Sequence, residues 1–285
     1  MENIAMSSEL SNLTWAEAKK KLDGSKLAIV PVGSVEQHGL HLGLGSDWIE
    51  ASEIARRVGE KSGKLVLPVM PYGVAAHHMD FPGVISLNPS TLRAVIFDIL
   101  TSLHRHGVTR VLLINGHGGN MGAITDAVRA AKEEYGMLTA ISQWWDILHD
   151  KPIHGQPVIA HAGYAETAFV LASKPEATRM HLAVLSETTQ VDDKIELVSL
   201  VEARFKDGLI KLPLNTADVS NTGSMTEAHP DDVKGTKDYS MITPEFAEKL
   251  MEEVVDWLVE FAEAFEKFEL PPVEVSEEKA RKELE

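Results

Sequence analysis

Short apolar runs of strand length alternate with amphipathic stretches from Leu27 to Trp144. Leu27 to Val32, Lys64 to Val69, Val111 to Ile114 and Leu138 to Trp144 read as strands, the second running into Pro71-Tyr72-Gly73. Helical signals lie between and before them. Thr14-Trp15-Ala16-Glu17 has capping-box form and opens a short helix that Gly24 closes. A helix is predicted from about Asp47 to Lys61. Asn88-Pro89-Ser90 supplies a helix start with an early proline, and Leu92, Val95, Ile96, Ile99 and Leu103 then repeat at helical spacing until Gly107. Asn120 reads as the N-cap of a helix to Tyr135, which sets the glycine-rich loop before it at the positive end of a helix dipole. Such alternation builds an α/β domain with a mostly parallel central sheet and crossover helices.

The pattern weakens from Val184 to about Lys234, where Asn221-Thr222-Gly223-Ser224 and Pro230-Asp231-Asp232 mark turns, so this stretch is expected to leave the core and offer a partner surface. Thr243-Pro244 then starts a long helix with Phe246, Leu250, Val254, Trp257, Leu258, Phe261 and Phe265 as its core stripe. Residues 1–270 are expected to form one domain and 271–285 a charged tail. A chain of 285 residues with 44% hydrophobic content can bury one large core. Its formal charge of -16 argues against nucleic acid as a partner. The absence of cysteine removes disulfides, thiolate zinc sites and cysteine nucleophiles together. Met1 to Asn12 lacks a basic flank followed by an apolar core, and no run of about 18 apolar residues occurs, so neither export nor a membrane span is expected. The expectation is a cytoplasmic enzyme with a small-molecule substrate.

Three clusters carry chemistry, two of them where predicted strands end, the edge at which α/β sheets bind ligands. The first is Pro31 to Gly39, with Glu36 and His38 two residues apart and Asp47 soon after. If the strand runs on that far, its period of two turns Glu36 and His38 toward one cavity. A carboxylate and an imidazole suit a zinc- or manganese-like ion, and Asp47 could lie between two ions. The second cluster, Asn115 to Asn120, carries His117, with glycines such as Gly118 that let the backbone approach a ligand. The third is Ala160 to Thr167, where His161 and Glu166 bracket a glycine at a helix start near Ala165. Three carboxylates and two or three imidazoles can hold two divalent ions. Glu36, Asp47 and Glu166 with one hydroxide would balance their charge, as a buried site requires. Trp144 and Trp145 could wall a pocket. A serine-hydrolase reading through Ser34 and His38 lacks a nucleophile elbow and a third member.

Together the clusters resemble the creatininase (creatinine amidohydrolase) family, with its Gly-Ser-x-Glu-Gln-His-Gly loop, a following Asp, Asn-Gly-His with a nearby Asn, and His-x-Gly-x-x-Glu-Thr. Here these stand at Gly33 to Gly39, Asp47, Asn115 to Asn120 and His161 to Thr167, with further similarity at Tyr72-Gly73 and Phe81 to Leu87. The resemblance implies a three-layer α/β/α sandwich and a binuclear centre of zinc, manganese or both. It assigns Glu36, Asp47 and His117 to one ion and His38, Asp47 and Glu166 to the other. It also implies a proton-moving role for His161, substrate contacts near His77 and His78, and a homo-oligomer, commonly a hexamer. The chain departs from creatininase itself at Gly119 and Ala160, where that enzyme has glutamates, and at Leu40 and Gly43, where prolines are common.

The chemistry implied is attack of an ionised water on a carbonyl polarised by a metal. His161 is the candidate to protonate a leaving group. Hydrolysis of a cyclic amide or a formamide is the leading reading. Opening of a cyclic diketone of the dehydrogenated-inositol type by carbon-carbon cleavage is the alternative, and a metal-binding maturation protein without turnover ranks last.

Overall fold

The computed structural model describes residues 6–148, 160–185, 188–190, 192, 194–226 and 239–271. In chain order the helices are α1 (Trp15–Gly24), α2 (Ser46–Ser62), α3 (Pro89–Arg105), α4 (Met121–Tyr135), α5 (Tyr164–Ser173), α6 (Thr216–Val219) and α7 (Pro244–Lys267). The strands are β1 (Leu27–Val32), β2 (Leu65–Val66), β3 (Arg110–Asn115), β4 (Leu138–Gln143), β5 (Ala160–His161), β6 (Ile195–Ser199), β7 (Glu202–Phe205), β8 (Gly208–Lys211) and β9 (Met225–Thr226). Among the described residues no helix is long and apolar enough to cross a membrane.

The central sheet is parallel with strand order β2-β1-β3-β4. Alternate residues of its strands enter two separate cores. Leu27 and Ile29 of β1 and Leu112 and Ile114 of β3 pack toward α2, α5 and α7. Ala28, Val30 and Val32 with Val111 and Leu113 pack toward α3 and α4. A strand covered by helices on both faces must be apolar at every position, which is why β1 and β3 read as continuous hydrophobic runs. The expected three-layer α/β/α sandwich is therefore what the structure shows. The crossover after β1 uses α2 on one face, and the crossovers into and out of β3 use α3 and α4 on the other. The loops leaving β1 and β3 thus diverge, opening a crevice at the carboxyl ends of two adjacent strands.

Several local expectations are modified. Thr14 and Glu17 form the reciprocal capping box before α1. Helix α1 includes Gly24 and is capped by Ser25. β2 is shorter than the expected Lys64 to Val69, because only Ala28 and Ile29 pair with it. Asn120 occupies the N-cap position of α4 but its side chain caps nothing there. Instead it accepts from Val74 N at 2.8 Å and donates to Gly33 O at 3.0 Å, so tertiary loop contacts outcompete the local cap. Helix α7 buries Ala247, Leu250, Met251, Val254, Val255, Leu258 and Ala262, an arc rotated from the expected stripe. Trp257 is 49% exposed and stacks on Phe261 of the same helix, outside the face that α7 buries. The excursion after Val184 is an antiparallel sheet, β6-β7-β8, followed by the single turn α6. The tail expected at 271–285 lies outside the described residues beyond Pro271.

Leu112 is fully buried in β3, the strand flanked by β1 and β4. Leu112→Ala is expected to destabilise the protein by about 2–5 kcal/mol, the range for a core leucine truncation, measured as a lower denaturant midpoint at unchanged slope.

Candidate metal centre

Register brings the clusters together. Val32 pairs with Asn115, and Gly116 N donates to Val32 O at 2.8 Å, so the loops after β1 and β3 leave the sheet side by side. The first turn of α2 lies directly against them. A Cβ on Gly116 would sit 2.2 Å from Asp47 O, so only glycine lets this backbone approach hold Asp47 over the loop.

Glu36 and His38 do not lie on a strand extension, as expected, because β1 stops at Val32. Their loop is set instead by Glu36 N donating to Leu44 O at 2.9 Å and by Ile85 N donating to Val35 O at 3.0 Å. Both side chains still reach one site. Glu166 comes from the first turn of α5, and His161 from β5.

Asp47 is approached by His117 on one oxygen and by His38 on the other. His117 Nδ1 is 3.0 Å from Glu36 Oε2 and 3.4 Å from Asp47 Oδ2. Asp47 Oδ1 is 2.8 Å from His38 Nε2, which is 3.8 Å from Glu166 Oε2. The two oxygens of Asp47 therefore face two different imidazoles. His161 Nδ1 stands 4.0 Å from Glu36 Oε1, its ring 4.4 Å from that of His38. Atoms of Glu36, Asp47 and His117, and separately of Glu36, His38 and His161, lie close enough together to hold an ion.

Hydrogen bonds orient the rings for this purpose. His117 Nε2–H donates to Val74 O at 2.8 Å, leaving Nδ1 for the site. His38 Nδ1–H points to Glu36 O at 3.3 Å, leaving Nε2. His161 Nε2–H donates to Gln37 O at 2.6 Å, leaving Nδ1 facing Glu36. Fixing one imidazole nitrogen so that the other keeps its lone pair for a ligand is the usual preparation of a metal-binding histidine. Glu36 Oε2, His38 Nε2 and Asp47 Oδ2 are buried without a hydrogen-bond partner. Buried atoms of mixed carboxylate and imidazole chemistry, close together but without hydrogen bonds that satisfy them, fit a borderline or hard divalent ion.

Ionisation behaviour matches the crowding. Burial works to raise the Glu36 carboxyl, but the His117 and His78 imidazoles outweigh it and hold it well below the usual carboxylate range. Burial and the neighbouring Glu36 push Asp47 well up. Burial, with Asp47 and Glu36 against His38, lifts Glu166 to about 8. His117 resists burial through Glu36 and Asp47 and rises to about 9. His161 is held well down by burial and by His38 and His78.

The centre opens on a cavity of ≈ 370 Å³. The glycine turn and His77 form one side, and Trp144, Trp145, Leu200 and Leu214 contribute an apolar wall. His77, Gly118 and Trp144, expected as substrate contacts, all line it. Burial and the flanking His78 and His117 lower His77 to about 3. His78 also reaches the cavity but is 1% exposed, with Nε2 3.2 Å from Glu36 Oε1 and Nδ1 2.7 Å from Thr216 Oγ1. Its geometry orients Glu36. Trp144 is equally a core residue, stacked on Phe169 at 4.1 Å. Gly119 has no room for a side chain, since a Cβ would meet Val74 O at 2.3 Å and His117 Nε2 at 2.5 Å.

Three participants were not evident beforehand. Gln37 spans the site, its amide nitrogen 2.9 Å from both His78 Nδ1 and His161 Nε2. Ala162 adopts a left-handed backbone (φ 54°), and its N–H donates to Glu166 Oε2 at 2.6 Å while its carbonyl accepts from Tyr239 Oη at 2.9 Å. Glu50 is fully buried, one helical turn beyond Asp47. Its i, i+3 spacing from Asp47 on a helix was the available signal. The contacts of Gln37, and that of the Ala162 carbonyl with Tyr239, come from distant segments and leave no local pattern.

The chain matches the family model described as Creatininase: Creatinine amidohydrolase over residues 11–262. It is 30% identical over 187 residues to a creatinine amidohydrolase of Pseudomonas putida, covering 59% of this chain and 72% of that protein. A mycofactocin precursor peptide peptidase of Mycolicibacterium smegmatis is 32% identical over 156 residues, 53% of this chain and 59% of the relative. A 3-dehydro-scyllo-inosose hydrolase of Thermotoga maritima is 26% identical over 289 residues, 96% of this chain and 89% of the relative. Among solved structures, a manganese form of creatininase superposes with a TM-score of 0.72 at 24% identity, covering 93% of this chain and 100% of that one.

Linkage gives the metal-free protein a pH-dependent stability. His117, raised to about 9, stabilises the fold fully below its unfolded value near 6.5 and loses that contribution as pH rises through 9. Glu166, raised to about 8, adds a penalty as pH climbs from its unfolded value of 4.5. Both act in one direction. The apoprotein is expected to melt at a lower temperature at pH 9 than at pH 6.5, with added Mn²⁺ or Zn²⁺ offsetting the loss. Calorimetry across that window checks this, and a flat or rising profile for the apoprotein contradicts it.

Proposed function

Because the chain belongs to the creatininase family and is a metal-dependent hydrolase, we propose that it cleaves a carbon-nitrogen bond of a small cyclic amide or formamide at a centre of two divalent ions, zinc, manganese or both. The observation that carries this reading is Asp47, which lines the cavity and whose Oδ1 and Oδ2 approach two different imidazoles, His38 and His117. In the proposed assignment Glu36, Asp47 and His117 hold one ion, and His38, Asp47 and Glu166 hold the other. Bound there, such ions supply Lewis-acid polarisation of a carbonyl and a nucleophile from water at neutral pH.

The remaining work falls to the protein. Glu36, Asp47 and Glu166 offset cationic charge that burial would otherwise make prohibitive. His161, its Nε2 proton committed to Gln37 O, presents Nδ1 to the site and can take a proton there and return it to a departing nitrogen. The low proton affinity that burial gives this imidazole suits prompt return. His77 and the Gly118 backbone border the space where a carbonyl compound would sit, and Trp144, Trp145 and Leu214 exclude water around it.

A second reading, hydrolytic opening of a cyclic diketone of the dehydrogenated-inositol type, draws support from the match that spans nearly the whole chain and so includes the Ser199 to Met225 segment walling the cavity. The two readings differ at the leaving atom. Nitrogen needs a proton from His161, whereas a carbanion is delocalised into the neighbouring ketone.

A homo-oligomer, with a hexamer as the family expectation, would cover the apolar side chains that β7 and β8 leave exposed, among them Phe205, Leu209 and Ile210. Analytical ultracentrifugation of the intact chain is expected to show that assembly, and a monomer at micromolar concentration would count against it.

Asp47→Ala is expected to abolish activity and to lose both ions, read by elemental analysis; two ions per chain retained in that variant would contradict the bridging role. His161→Ala is expected to lower kcat about 10²–10⁴-fold on the amide substrate, the range for a general acid-base group, with metal content intact. A panel of cyclic amides, formamides and oxidised inositols decides between the readings.

A further inference from the structure

Glu50 stands apart from the residues assigned above. It is fully buried, yet neither of its carboxylate oxygens has a hydrogen-bond partner. A buried carboxylate normally finds donors or a cation, and one left bare implies a group that completes it. Its place on α2 is one turn beyond Asp47, so both carboxylates project from the same helical face. Burial, and then the Glu166 and Asp47 carboxylates, push it well up against the nearby Trp144 indole. Among the described residues, the ion-pair partners of Glu36, Asp47 and Glu166 are histidines, and no lysine or arginine reaches this side of the centre.

The glycine turn adds a second observation. Position 119, where creatininase carries a glutamate, is here a glycine whose Cβ would collide with Val74 O and His117. The carboxylates that approach His38 come from helices α2 and α5. Asp47 and Glu166 supply two carboxylates there, and Glu50 stands behind them.

We infer that Glu50 is a positioning residue for metal: its buried carboxylate raises the affinity of the divalent ion on the His38, Asp47 and Glu166 side, and leaves the ion on the Glu36 and His117 side largely unaffected. It need not ligate. A cation beside Asp47 and Glu166 offsets the repulsion that keeps Glu50 protonated, and the carboxylate so ionised, one turn from Asp47 in a water-poor region, attracts that cation in return. Outer groups of this kind are worth about 10–100-fold in metal affinity. The inference rests on the two-ion reading above.

The test uses metal-free wild type, Glu50→Gln and Glu50→Asp, each titrated with Mn²⁺ and with Zn²⁺. Stoichiometry is read by elemental analysis after gel filtration, and each dissociation constant by chelator competition. Wild type is expected to take up two ions per chain. Glu50→Gln, isosteric and neutral, is expected to hold the first ion as wild type does and to bind the second about 10–100-fold more weakly, with Glu50→Asp recovering part of the loss. The unchanged first ion doubles as the control for folding. Equal second-ion affinity in wild type and Glu50→Gln would overturn the inference alone. Equal weakening of both ions in both variants would show a general structural role and overturn it too, and a wild type that binds a single ion would overturn the two-ion reading with it.

Discussion

Like charge confined in low dielectric is the constraint on which the site depends. Glu36, Asp47 and Glu50 are buried and Glu166 nearly so, and the ion-pair partners around them are imidazoles whose own charge burial opposes. Without cations, such a cluster persists only by redistributing protons, which is why Asp47, Glu50 and Glu166 are pushed up while Glu36, flanked by two histidines, is pushed down. Divalent ions remove the conflict, and the unpartnered atoms Glu36 Oε2, His38 Nε2 and Asp47 Oδ2 mark where they would act. The fold must therefore hold these groups together against their own repulsion.

It does so from the rigid end of the sheet. Parallel pairing of β1 with β3 in fixed register delivers two loops side by side, and the crossovers to opposite faces open the crevice between them. Helix α2 then clamps the crevice through the Gly116 approach, and α5 closes it with Glu166, whose orientation depends on the left-handed peptide at Ala162 and the Tyr239 hydroxyl. Strain at Ala162 lies beside a proposed ligand, where surrounding contacts can hold it. The β6-β7-β8 excursion supplies the far wall through Leu200 and the segment after it, so substrate discrimination is carried by the part of the chain least regular in pattern.

Much of the framework was legible because parallel strands buried on both faces leave an unambiguous trace. β1 was bounded to the residue, and α2, α3 and α4 to within a residue or two, since strong periodicity, proline and capping residues mark their limits. The motif residues were legible for another reason: Glu36, His38, Asp47, His117, His161 and Glu166 are chemistry-bearing types placed beside strand or helix ends. The misreadings share one cause. Asn120 was assigned a local cap and Trp257 a core position, but tertiary packing decides both: Asn120 bonds to the loops at Val74 and Gly33, and the face of α7 that is buried leaves Trp257 about half exposed.

The sequence by itself determined the elements, the class of fold and the residue types able to bind a metal, because periodicity and side-chain chemistry are local properties. Only the tertiary structure decided which nitrogen of each histidine faces inward, that Asp47 turns one oxygen to each side, that Gln37 joins two imidazoles, and that Glu50 is buried without a partner. These are relations between segments far apart in the chain, such as His38 and Glu166, or His78 and Thr216. Distances and burial arise when a sheet brings such segments to one edge, and no stretch of sequence carries them alone.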